Sequence, residues 1–356
     1  MESTHVCTVV GARPQFIKSA PVSRALESAG IRETVVHTGQ HFDRELSQIF
    51  FDELGLREPR VDLSVGSGTH AWQTASIMMR LEDYLQGAPP CDLVLVYGDT
   101  NSTVAAALVA AKLHIPVVHV EAGLRSFNRD MPEEINRIVT DHLSRWLFCP
   151  TETAVQNLAQ EGITRGAYLC GDVMLEAMRM FTEKARADLP LELFTSCRPG
   201  EYALATVHRP ANTDNHARLA GIFEGLGALD CPVLMPLHPR TRDRMGGISP
   251  PANVMVLPPM SYLAMLTLTQ HAKRIFTDSG GLQKEAFWLG VPCVTLRPET
   301  EWPETLSNGW NRCINPTPAA IASAAAEPYG PQLPFGEAPA GTASSEIARI
   351  LSEALA

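Results

Sequence analysis

The 356-residue sequence is poor in the features that mark several large classes of protein. No apolar run approaches the ~20 residues that a bilayer span needs, so no membrane-spanning helix is expected. The N-terminus, MESTHVCTVVGARP, lacks a basic segment followed by an apolar one, and no secretory signal is read there. The eight cysteines, at 7, 91, 149, 170, 197, 231, 293 and 313, form no CxxC pair, and most lie in apolar runs such as LFCP and VPCVTL. That pattern speaks against a disulfide framework or a zinc site and predicts reduced, buried thiols in a cytoplasm. Basic residues are outnumbered 29 to 39, giving a formal charge of −10, so nucleic-acid binding has no support. Any phosphate site must be local. No internal repeat is evident.

What the chain does contain is one alternation repeated along its length: a short apolar run, a glycine-bearing turn, and an amphipathic stretch of about ten to fifteen residues. Strands are predicted at 6–10, 34–38, 93–97, 117–120 and 146–149, and a second series at 202–206, 233–236, 254–257, 274–276 and 293–296. Helices are predicted between them at 14–28, 102–112, 152–160, 215–225 and 281–289. This is an α/β pattern of parallel, doubly wound sheets with helices on both faces. A break near Gly171–Asp172, followed by a charged helix over 175–187, divides the chain into two Rossmann-like domains, 1–171 and 172–343. The stretch EPYGPQLPFGEAPAGT, rich in Pro and Gly, precedes a last helix at 344–356 that completes the first domain.

In open sheets of this kind ligands lie beyond the carboxyl ends of the strands. The residues found there are chemically unusual. GARPQFIK brings Arg13 and Lys18 to a helix that starts with a proline suited to that position. YGDTNST brings Asp99, HVEAGLRS brings Glu121, and MPEEINR brings Glu133, Glu134 and Arg137. The second half contributes His208 and Arg209 in TVHRPAN, His238 and Arg240 in LHPRTR, and the turn Ser279-Gly280-Gly281 with Glu285 one helical turn on. A strand, a glycine turn and a helix N-terminus together form an anion site, because unpaired N–H groups point outward there. Plainer readings exist for each. Asp99 and Glu121 are open to a role as caps or as partners of Arg125, the dipole favours Glu133 and Glu134 in a first turn anyway, and His238 before Pro239 suits a loop cap.

Taken together and in order from Val9 to Glu304, GARPQFIK, HTGQHFD, YGDTNST, HVEAGLRSFNRDMPEEINR, PTETAVQNL, TVHRPAN, LHPRTR and TDSGGLQKEA closely resemble the non-hydrolysing UDP-N-acetylglucosamine 2-epimerase family. The resemblance implies a GT-B-type fold with the active site in the interdomain cleft, a UDP-sugar substrate, no cofactor or metal, and a homodimer. It also implies inversion at C2 of a UDP-linked 2-acetamido sugar, UDP-GlcNAc to UDP-ManNAc, through anti elimination of UDP and its re-addition. Asp99, Glu121 and Glu133 align with the family's catalytic acids, with His208 beside them. Arg13, Lys18, Arg137, Arg209, His238, Ser279, Gly280 and Gly281 would bind substrate or UDP, with Glu285 on the ribose. Three neighbouring carboxylates are expected to repel one another, which suits an acid that must at times hold its proton. One departure concerns RPETEWPETL, where Trp302 stands in place of a family Arg that serves the nucleotide phosphates. Trp302 also resembles the subgroup acting on UDP-2,3-diacetamido-2,3-dideoxyglucuronate, the alternative substrate. A hydrolysing epimerase and a GT-B glycosyltransferase are the remaining rivals.

Overall fold

The computed structural model describes residues 4–40, 59–330 and 342–355, with the backbone alone for Arg13, Ser307 and Asn308. The QHFDRELSQ run beyond Gln40 and most of the Pro/Gly-rich stretch before the last helix lie outside these residues. Among the described residues no helix is long and apolar enough to cross a membrane.

Among the described residues thirteen short strands carry the fold, seven in one sheet and six in another. The first sheet holds β1 (His5–Val10), β2 (Arg32–His37), β3 (Val61–Asp62), β4 (Leu93–Tyr97), β5 (Val117–Val120), β6 (Trp146–Cys149) and β7 (Ala167–Leu169). The second holds β8 (Ala203–Thr206), β9 (Val233–Pro236), β10 (Val254–Leu257), β11 (Arg274–Thr277), β12 (Cys293–Thr295) and β13 (Asn311–Cys313). Runs such as HVCTVV, LVLVY and WLFC are buried along their whole length, as strands covered by helices on both faces must be. Helices start where a hydroxyl can take an orphan N–H: Thr100 accepts from Thr103, Thr151 from Ala154, Ser261 from Ala264 and Ser279 from Leu282.

Every pairing is parallel, in the orders 3-2-1-4-5-6-7 and 10-9-8-11-12-13. Both sheets therefore show the doubly wound order expected of a GT-B-type chain. The chain reverses direction across each sheet between β1 and β4 and between β8 and β11, the points at which such sheets open a crevice at the strand ends.

The chain divides into two units, Met1–Ala177 with Glu337–Ala356, and Met178–Gly336. The division falls six residues beyond the expected 171/172, because the first turn of helix Val173–Asp188 packs with the first unit. Glu176 in that turn accepts from the backbone N–H and the hydroxyl of Ser344, at 3.0 and 2.6 Å, and so ties it to the C-terminal helix Ala343–Leu355. Further along the same helix, Phe181 meets Tyr262 of the second unit edge-on at 5.8 Å.

Candidate active site

In the first unit, β4 and β5 end level with each other, Tyr97 opposite Val120, so Gly98-Asp99 and Glu121 leave the sheet side by side. Both turns are left-handed, with φ of +62° at Gly98 and +73° at Glu121. A non-glycine residue in that region is strained, and such residues concentrate at functional sites. Glu121 is buried and pairs with the Lys18 ammonium, which reaches across from helix Arg13–Ser28. Burial alone would lower the Lys18 pKa, but the charges of Glu121 and Asp99 outweigh it and hold the ammonium above its ordinary value. Asp99 is about a third exposed (32%) and accepts from Arg137 at 2.6 Å, while its backbone carbonyl accepts from Asn136 at 2.9 Å. The other arm of the Arg137 fork reaches Glu134, also at 2.6 Å.

Beneath these turns lies a buried ionic network. His119 is fully buried in β5, with Nε2 2.8 Å from the Gly98 carbonyl and Nδ1 2.6 Å from Asp141. The other oxygen of Asp141 accepts from Arg125 at 2.7 Å and from the Gly123 N–H at 3.2 Å. Arg125 in turn makes a bidentate pair with Glu161, at 2.7 and 2.8 Å. Burial by itself would raise the Asp141 carboxyl, yet His119 and Arg125 keep it below its usual range. One carboxylate thus secures the strand before Glu121, the turn after it, and, through His119, the carbonyl beside Asp99.

In the second unit, Thr206 and Thr277 are paired at the ends of β8 and β11, and their hydroxyls are 2.6 Å apart. Past them Val207-His208-Arg209 runs beside Asp278-Ser279-Gly280. Asp278 is completely buried and accepts from the backbone N–H of His208 (3.0 Å), that of Arg209 (2.9 Å) and the Asn212 amide (3.0 Å). The His208 Nδ1 is 3.3 Å from the same carboxylate. A third of the His208 side chain reaches solvent, but partial desolvation, with Arg209, Arg297 and Arg240 adding to it, holds the ring below its ordinary pKa against the opposing pull of Asp278. His238 lies beside it, ring centres 5.6 Å apart and planes tilted by 33°, and caps helix Pro239–Arg244 by accepting from the Arg240 N–H. Ser279 caps helix Gly280–Trp288, and a Cβ on Gly281 would meet nothing within 4 Å, so the turn presents an open face at a helix N-terminus. At Gly280 a Cβ would stand 2.3 Å from Glu301, itself paired with Arg297 at 2.9 Å. Glu285 is buried within the helix, which pushes its carboxyl up to about 7; Tyr262 and Lys284 offset only part of that rise.

Several expectations are refined by this geometry. Asp99 and Glu121 are not a mutually repelling pair, since each has its own cation. Arg125 serves Asp141 and Glu161 rather than either of them. Glu133 and Glu134, equivalent in sequence, are separated by the helix: Glu134 turns inward, is 1% exposed and accepts from Ser126 and Phe127 N–H groups as well as Arg137, whereas Glu133 stays half-buried. Arg13 opens its helix, and its side chain lies outside the described residues. Trp302 is 5% exposed, with the Lys284 ammonium 3.4 Å from its ring centre, so it is a packed cation–π wall and not a solvent-facing reader. Sequence reasoning passed over Asp278, Asp141 and His119. Only His119 left a signal, as a polar residue inside an otherwise apolar parallel strand.

The family model for UDP-N-acetylglucosamine 2-epimerase matches residues 24–352. A UDP-N-acetylglucosamine 2-epimerase homolog of Methanococcus maripaludis is 46% identical, covering 97% of this chain and 99% of its own. A UDP-2,3-diacetamido-2,3-dideoxy-D-glucuronate 2-epimerase of Pseudomonas aeruginosa is 44% identical, covering 98% and 99%. Among solved structures, the Methanocaldococcus jannaschii UDP-GlcNAc 2-epimerase in complex with UDP-GlcNAc and UDP superposes with a TM-score of 0.90 at 39% identity, over 98% of this chain and 100% of that one. Likeness on this scale over the full matched length, together with neighbouring acids at one switch point and a serine-capped glycine turn at the other, places the chain in the UDP-N-acetylglucosamine 2-epimerase family.

Proposed function

We propose that this protein interconverts UDP-GlcNAc and UDP-ManNAc. The observation that carries the reading is the pair Asp99 and Glu121, on adjacent left-handed turns, each held by a separate cation. The C2–H bond beside an acetamido group is not acidic enough to break alone. One carboxylate removes that proton as the C1–O bond breaks, the C2–H electrons form the C1=C2 bond, and the C1–O electrons leave on UDP. Protonation of C2 from the opposite face, with the UDP oxygen returning to C1, completes inversion. Two faces require two acid/base groups, and Asp99, Glu121 and Glu133 are the candidates. Arg13, His208, Arg209 and the Ser279–Gly281 turn stabilise the departing pyrophosphate, each well-placed donor contributing ~2.7–4 kcal/mol in sites of this kind, and Lys18, Arg137 and His238 are further substrate-binding residues. Glu285 holds the ribose. No cofactor or metal enters the scheme, and the protein is expected to work as a cytoplasmic homodimer, which light scattering on the purified chain checks.

Incubation with UDP-GlcNAc in D2O, followed by NMR, tests the reading: UDP-ManNAc carrying deuterium at C2 is expected. Free sugar and UDP would indicate a hydrolysing epimerase, and sugar transfer to an acceptor a glycosyltransferase. The Pseudomonas aeruginosa relative motivates a second reading, with UDP-2,3-diacetamido-2,3-dideoxyglucuronate as substrate. That reading is favoured if UDP-GlcNAc is inert and the diacetamido-uronate exchanges its C2 proton. Asp99→Asn and Glu121→Gln are each expected to abolish turnover while UDP still binds; retained epimerisation in either removes that residue from the mechanism.

A further inference from the structure

We propose that His119 is held as an imidazolium, with a proton on each ring nitrogen, and that it positions the turn carrying Asp99 by supplying a hydrogen bond the β4–β5 ladder no longer provides. The protonation rests on the geometry of the first unit alone; its consequence for turnover rests on the epimerase reading. In a parallel ladder, evenly spaced N–H groups of each strand serve the carbonyls of the next. Gly98 donates to the Val120 carbonyl at 3.0 Å, and in a continuing ladder the Ala122 N–H would return the bond to the Gly98 carbonyl. That return is lost where the chain turns left-handed at Glu121, because the Glu121 and Ala122 N–H groups both go to the Phe148 carbonyl, each at 3.0 Å. A side chain takes over: Nε2 of the fully buried His119 is 2.8 Å from the Gly98 carbonyl oxygen.

A carbonyl can only accept, so Nε2 is a donor. Nδ1, on the other side of the ring, is 2.6 Å from one oxygen of Asp141. The second oxygen of that carboxylate receives Arg125 at 2.7 Å and the Gly123 N–H at 3.2 Å. An ionised carboxylate beside a guanidinium is likewise an acceptor only. A neutral imidazole has one N–H and one lone pair, and would turn the lone pair onto one of these two oxygens. Only the doubly protonated ring satisfies both. The run His119, Asp141, Arg125, Glu161 then alternates in sign along its length, as buried charges require. His5 shows that two partners do not by themselves demand a second proton. Its Nδ1 is 2.8 Å from the Pro90 carbonyl, but its Nε2 faces the Thr34 hydroxyl at 2.9 Å, a group that can donate.

The protonation is tested by 15N NMR of the intact, histidine-labelled protein at neutral pH, with the His119 ring assigned by through-bond correlation to its own backbone. Both nitrogens are expected to show a directly bonded proton. A ring with one protonated nitrogen, or one averaging between tautomers, would overturn the proposal, and the wild-type spectrum decides this without any variant. Positioning is read in His119→Gln, whose amide carries its donors on one nitrogen and so serves Gly98 or Asp141 but not both. If ~1 Å of misplacement is worth ~10² in rate, a shift of about 0.5 Å at the Asp99 turn should lower kcat about tenfold, with KM changed less than about threefold. His5→Gln, which removes a buried ring from the opposite end of the same sheet, is expected to leave both constants near the wild-type values. Equal effects of the two variants, or loss of folding in His119→Gln alone, would reduce His119 to a structural prop and overturn the positioning role. Wild-type protein that shows both His119 protons but does not exchange the C2 proton would count against the epimerase reading and leave the imidazolium standing.

Discussion

Replacing Gly98 by Ala separates the two demands that the turn before Asp99 places on its residue. Gly98 has φ +62°, and a Cβ there would stand 3.3 Å from the Glu121 carboxylate and 3.5 Å from the Lys18 ammonium. Gly162 offers the control: its φ is +84° and a Cβ would meet nothing within 4 Å. Both substitutions carry the left-handed cost of roughly 1–2 kcal/mol. At about 2–4 °C per kcal/mol for a domain of this size, each should lower Tm by about 2–8 °C. Only Gly98→Ala also presses on the Lys18–Glu121 pair, which must yield by a few tenths of an ångström. Glu121 cannot absorb this freely, because its own turn is left-handed and its N–H is bonded to Phe148. Since about 1 Å of misplacement is worth ~10² in rate, a shift of this size is expected to lower kcat about fourfold. Thermal unfolding and the rate of C2 deuterium incorporation are the two assays. If Gly98→Ala loses no more than Gly162→Ala in Tm and retains kcat within about twofold, the turn supplies backbone freedom only and the contact argument is wrong.

Three further outcomes follow from the same geometry. Asp141→Asn leaves His119 and Arg125 buried without their shared counter-charge, and breaking a buried pair of this sort costs ~3–5 kcal/mol; denaturant unfolding should show it, and a loss under ~1 kcal/mol would make the network dispensable. Gly123→Ala adds to a φ of +77° a Cβ 2.3 Å from the Ala154 carbonyl, a backbone atom that cannot swing away, so its Tm should fall clearly further than that of Gly162→Ala. Glu285 has a folded-state pKa of about 7 against 4.5 for the free side chain, so the folded state holds its proton more tightly. Its contribution is complete below about pH 4.5 and lost as pH rises through about 7, a fall of about 3 kcal/mol at 1.36 kcal/mol per unit. Glu285→Gln should flatten the Tm profile across that window, and an unchanged slope would show that another group causes it.

The strands of both sheets were legible because a parallel strand covered on both faces reads as an unbroken apolar run; five in each sheet are predicted within about two residues of their ends. The three missed, β3, β7 and β13, span only two or three residues and leave no periodicity to count. The helices beginning near 102, 152 and 281 were legible through their amphipathic pattern, and the structure starts them where Thr100, Thr151 and Ser279 turn their hydroxyls onto N–H groups a few residues away. The positions of Asp99, Glu121, His208 and Ser279 followed from topology, since ligand groups gather at the strand ends of a doubly wound sheet.

What the sequence could not settle was which charge meets which. Lys18 and Glu121 are 103 residues apart, Arg137 and Asp99 38, and Asp278 and His208 70. Glu133 and Glu134 are neighbours in sequence, and only the packed helix turns one inward onto Arg137 and leaves the other half-buried. The chain by itself determined the alternation of strand and helix and the chemistry available at each strand end, because those depend on local pattern. The tertiary structure alone decided the pairings, because the register of parallel strands brings distant turns level, and burial then requires every charge among them to have a partner.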